Sequence, residues 1–125
     1  MKENTDTEVT QWADDDVETI LPKRKPGRQR VSRWHIVRTY SAGVFFGQIK
    51  SRNGREVELL FARRIWYWAG AASLSQLAQE GTKEPEKCKF PCVVDRIVLL
   101  DAVEILDTTE AAQKSIMEVP VWEAK

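Results

Sequence analysis

The sequence predicts a small α+β domain, an antiparallel sheet with two short helices. Three observations carry this. Strand-like runs rich in β-branched and aromatic residues fill 34–40, 44–50 and 56–61, with Asn53-Gly54 between the last two. Helix-start patterns stand at Ser73 and at Asp107. The order is strands, helix, strand, helix, without the regular alternation of a parallel sheet. The pattern fits an open sheet and a barrel-like one equally.

The first run, Trp34-His35-Ile36-Val37-Arg38-Thr39-Tyr40, reads as a strand, and residues 41–43 as a turn. Residues 44–50 form the second strand. Asn53-Gly54 suits the centre of a type I′ hairpin turn, where both residues take positive φ. Residues 56–61 alternate, with Val57, Leu59 and Phe61 expected on one buried face. Ser73 followed by Gln76 is a capping box. Leu74, Leu77 and Ala78 then give a short apolar stripe, and Gly81 a stop. Residues 93–107 read as one long strand with a central bulge. Asp107 and Glu110 form a second capping box for a helix to about 116, and residues 119–122 follow as an extended segment.

The chain has 125 residues and a formal net charge of zero, from 19 basic and 19 acidic side chains. That length suits one domain. The charge is segregated: Glu3, Asp6, Glu8, Asp14, Asp15, Asp16 and Glu18 precede Lys23, Arg24, Lys25, Arg28 and Arg30. Neighbouring blocks of opposite sign, with Pro22, Pro26 and Gly27 among them, read as a disordered tail and linker over 1–32. The folded domain is expected over 33–125. The basic linker, with its Pro-Gly-Arg, partly resembles a minor-groove AT-hook, which makes nucleic acid one candidate partner. No apolar run is long enough for a membrane helix, and the acidic start lacks a secretory signal. The expectation is a soluble protein without a membrane partner.

Chemistry concentrates in Arg63-Arg64-Ile65-Trp66-Tyr67-Trp68. Arginine offers a planar fork to phosphate or carboxylate, and indoles offer faces for stacking. In an extended chain, alternation groups Arg64, Trp66 and Trp68 on one face and Arg63, Ile65 and Tyr67 on the other. The pattern suits a nucleotide-like ligand, and it equally suits core or oligomer packing. Arg38, Tyr40 and Ser41 at the first turn, and Ser73 at the helix start, could add anion contacts. Cys88 and Cys92 are half of a zinc knuckle, and the single His35 does not complete it. Asp95, Asp101 and Glu104 do not share one strand face. No nucleophile–base motif is evident, so the expectation is a protein that is not an enzyme and needs no metal or cofactor.

Val37-Arg38-Thr39-Tyr40-Ser41-Ala42-Gly43-Val44, residues 62–74 and the closing Val119-Pro120-Val121-Trp122 resemble an uncharacterised family of small tailed-bacteriophage and prophage proteins. The resemblance implies a viral protein acting in a host cytoplasm and assigns no chemistry. By analogy with small phage anti-defence proteins, the leading expectation is a homo-oligomeric sponge for a nucleotide-derived host signal. The alternatives are a phage structural protein with an aromatic assembly belt, and a DNA-binding accessory protein.

Overall fold

The computed structural model describes residues 34–124. They fall within one compact unit spanning Ser32–Lys125. The expected tail over 1–32, with the basic residues Lys23, Arg24, Lys25, Arg28 and Arg30, lies outside the described residues.

The fold is α+β. Five strands form one antiparallel sheet: β1 (Trp34–Thr39), β2 (Val44–Asn53), β3 (Glu56–Arg64), β4 (Val93–Leu99) and β5 (Ala102–Asp107). Helix α1 (Leu74–Glu80) and helix α2 (Glu110–Glu118) accompany it, with a 3-10 turn over Pro85–Lys87. Spatial order is β4-β3-β2-β1-β5.

The expected long strand over 93–107 is two strands. They lie at opposite edges of the sheet, β4 on β3 and β5 on β1. Only Leu100 and Asp101 join them. Three peptide steps span at most about 11 Å. In a flat sheet the two edges would stand four steps apart, about 19 Å. The sheet is therefore coiled, so that its edges approach at this corner without pairing. Two bonds fix the corner: the Tyr40 N–H donates to the Asp101 carbonyl (3.0 Å), and the Ala102 N–H to the Arg55 carbonyl (3.0 Å).

Strand alternation then builds two cores. Val37, Phe45, Val57, Leu59, Ala62 and Leu99 cluster on the inside of the coil, joined by Ala102 and Ile105 from the far edge. Ile36, Phe46 and Ile65 face the other way, against Leu77, Ala78, Phe90, Ile116 and Val119. β1 is buried on both faces, with Ile36 and Val37 fully inaccessible. Fully burying one such side chain stabilises by about 1.5–3 kcal/mol.

Three local expectations are corrected. The hairpin turn is centred on Gly54-Arg55, between paired Asn53 and Glu56. Only Gly54 of the turn residues has positive φ (63°), as a type II′ turn requires at its first central position. Phe61 does not join Val57 and Leu59 inside. It takes φ 53° at a bulge opposite Gly47, its ring is 48% exposed, and Ala62 fills the core instead. Finally, α2 is capped by Thr109, whose hydroxyl accepts from the Ala112 N–H (3.0 Å). The expected Asp107–Glu110 box is thus replaced by a cap two residues later. At α1, Ser73 caps as expected, accepting from Gln76 N–H (3.2 Å), but the Gln76 side chain returns to the Ala72 N–H (2.7 Å).

Candidate functional site

β3 ends at Arg64, and the arginine–aromatic segment divides there. Arg63 is 1% exposed, on the helix side of the sheet. Its Nε–H donates to Pro91 O (3.0 Å), and Nη1 to Ile116 O (2.9 Å) and Met117 O (3.4 Å). Nη2 donates to Phe90 O (3.1 Å) and Val119 O (2.7 Å). An arginine has five N–H donors, and these five carbonyls use them all. Two of the acceptors lie in the last turn of α2, where free carbonyls and the helix dipole favour a cation. Burial pulls the Arg63 pKa below its ordinary value. Arginine stays protonated even so. Arg63 ties β3, the 90–91 segment and the end of α2 together, so its expected role as a ligand residue is corrected to a structural one.

Arg64 turns to the opposite face, with its guanidinium carbon 4.6 Å from the centre of the Phe45 ring. Trp68 packs against the helix-side core. Trp66 stacks on Trp122, with centroids 6.3 Å apart and planes inclined by 13°. The expected face of Arg64, Trp66 and Trp68 is therefore dispersed over three environments. The cause is the irregular exit from β3. Both the Trp66 and Tyr67 N–H groups donate to Lys89 O (3.1 and 3.2 Å), and the Lys89 N–H returns to Tyr67 O (2.7 Å). Two consecutive residues share one acceptor, so strict alternation ends.

That exchange assembles a different cluster. Lys89 Nζ lies 5.8 Å from the Tyr67 ring centre and 5.5 Å from that of Trp122. The Trp122 N–H donates to Phe90 O (3.1 Å), which holds the closing segment beside residues 89–90. Trp66 is 62% exposed, Tyr67 52%, Trp122 46% and the adjoining Val121 49%. Sequence patterns alone do not mark Trp122 or Lys89 as site residues. The extended 119–122 segment is the one available signal, and it does not say which ring it would meet.

Two other expected anion contacts, Arg38 and Ser41, are engaged. Arg38 Nε is 2.8 Å from Glu104 Oε1, and Ser41 Oγ donates to Asp101 Oδ2 (3.0 Å). Both sit beside carboxylates, which disfavours an anion there. Tyr40 is largely exposed. His35 Nε2 lies 3.1 Å from Asp107 Oδ1. At the β4 edge, Arg96 and then Ser51 hold the Glu58 carboxyl below the usual carboxylate range. Cys88 is buried and Cys92 exposed, both as free thiols. Among the described residues no group of three or more His, Cys, Asp or Glu could hold a metal ion. A groove of about 510 Å³, lined in part by Thr82, Glu86, Lys114, Ser115 and Glu118, lies along α2. It includes none of the aromatic cluster, and its charges are mixed.

Fold and surface together define a small α+β domain that presents stacked aromatic side chains. Residues 32–116 match the family described as a domain of unknown function (DUF6948), and the chain belongs to that family. No curated protein and no solved structure matches the chain. Trp66, Tyr67 and Lys89 lie within the matched residues, and Trp122 beyond them. Among the described residues, no helix is long and apolar enough to cross a membrane.

Proposed function

We propose that this is a non-enzymatic assembly protein that associates with further copies of itself through the Trp66–Tyr67–Trp122 face. The observation that carries the reading is the exposure of three adjoining aromatic side chains, with Val121 beside them. Large exposed apolar patches mark interaction surfaces, and tryptophan and tyrosine dominate the binding energy of such surfaces. Arg63, Arg38, Ser41 and Ser73, four of the groups suited to gripping phosphate, meanwhile have internal partners. In the viral setting implied by the phage resemblance, the role would be structural or assembly-related.

One observation favours a second reading. Lys89 places a cation beside two rings, which suits a base-containing phosphorylated ligand. Under this reading the protein sequesters a nucleotide-derived host signal, on Trp66, Trp122 and Lys89 rather than on Arg63.

Native mass spectrometry of the full chain tests both. The assembly reading expects a bare oligomer that shifts to smaller species in Trp66→Ala/Trp122→Ala while near-ultraviolet circular dichroism retains a folded spectrum. A monomer at every concentration overturns it. A nucleotide-sized mass retained by the wild type and lost in the variant supports the second reading instead.

A further inference from the structure

Arg64 is the anomaly of the described residues. Its Nε is buried and has no hydrogen-bond partner. Neither a hydrogen bond nor an ion pair engages its guanidinium among the described residues. Other arginines there are held: Arg38 by Glu104, Arg52 by Gly54 O, Arg63 by five carbonyls and Arg96 by Glu58. Arg55, on the exposed hairpin turn, is left to solvent. Arg64 is only partly exposed, and its buried Nε is shielded from water.

A permanently charged group with a shielded donor is costly unless something accepts from it. The contact that Arg64 does make is apolar. Its guanidinium carbon lies over the ring of Phe45, its partner in the β2–β3 register, at 4.6 Å, and Phe45 is 1% exposed. Val37 and Ile105 continue the same row toward the far edge. An aromatic ring supplies no strong hydrogen-bond acceptor, so the N–H groups of the guanidinium remain to be satisfied. A bidentate oxyanion has the matching geometry, with two parallel N–H···O bonds strengthened by charge and low local dielectric.

We propose that Arg64, seated on Phe45, is the anchor of an oxyanion site for a small ligand bearing a carboxylate or phosphate. The proposal rests on a different observation from the one that carries the Trp66–Trp122 face. Phosphate and carboxylate share the required chemistry, so the test has an arm for each.

The experiment is site-resolved NMR of the full chain, titrated with inorganic phosphate and with acetate. Local readout matters because other cations of the chain also attract anions. The Arg64 Nε–H and Phe45 ring resonances are expected to shift saturably with at least one anion. The apparent Kd should weaken at least tenfold in Arg64→Met. Arg64→Lys keeps the charge but not the fork, and should weaken binding severalfold. The wild-type Nε–H signal decides between site and no site even if Arg64→Met fails to fold. Absent or non-saturating shifts at Arg64 and Phe45 with both anions overturn the site. So do saturable shifts that Arg64→Lys leaves unchanged, since these report charge attraction alone.

Discussion

At the scale of single residues, Arg63 has the largest structural consequence. Burying a guanidinium is costly, and carbonyl dipoles rather than a carboxylate offset the cost here. Removing it would strip a donor from five carbonyls in two segments, 90–91 and 116–119, at once. Arg63→Ala is therefore expected to lose roughly 3–5 kcal/mol, since each orphaned buried group costs about 1–3, while Phe90 O and Ile116 O keep the Trp122 and Val119 N–H donors. Arg63→Lys supplies three donors without the planar fork and should recover less than half of that. Urea denaturation of the three proteins measures it. A loss below about 1 kcal/mol for Arg63→Ala would show that water replaces the guanidinium freely. The same residue shows where sequence reading stops. Arginine is almost never fully buried unless paired. Its partners here are backbone atoms from residues 90–91 and 116–119, whose proximity no local pattern encodes.

Elements whose information is local were legible. The hairpin was legible from Asn53-Gly54 and flanking alternation, though its turn is centred one residue later than expected, and α1 from Ser73 and Gly81. Gly81 closes α1 at φ 76°, where an added Cβ would collide with the Ser115 side chain. What depended on long-range pairing was less visible. Residues 93–107 carry one continuous strand composition, and only the coil of the sheet sends their halves to opposite edges. Phe61 fits the period-two pattern, but a bulge turns it outward. That bulge permits a sharp prediction. A left-handed conformation costs a non-glycine residue about 1–2 kcal/mol. Phe61→Gly relieves that strain and sacrifices a half-exposed ring whose tilted contact with Trp34 spans 6.4 Å. The two effects nearly cancel, so Phe61→Gly should stay within about 1 kcal/mol of wild type. Leu59→Ala, two residues away and fully buried, should cost about 2–5 kcal/mol. If Phe61→Gly proves as damaging as Leu59→Ala, the bulge is held by the ring and not merely tolerated.

For the whole molecule, the decisive feature is the contrast between a closed core and an open aromatic face. The coiled sheet hides β1 on both sides, and Arg63 holds the end of α2 through Val119 O. Trp122 follows three residues later and is bonded to Phe90 O. The rigid part of the fold thus leads directly to the exposed rings, and their geometry is set before any partner arrives. Preorganised aromatic surface lowers the ordering cost of association. Association that requires the folded face must also stabilise the folded state by mass action. The melting temperature should therefore rise with protein concentration. Bound at a hundredfold excess over Kd, a partner contributes about 2.7 kcal/mol. In a domain of this size each kcal/mol moves Tm by about 4–8 °C. A concentration series in differential scanning calorimetry should show several degrees of rise for the wild type, and a flat line for Trp66→Ala/Trp122→Ala. A wild-type Tm independent of concentration would remove self-association as the purpose of this face. If nucleotide then raised the Tm of the wild type but not of the double variant, the stacked rings would instead serve a small ligand.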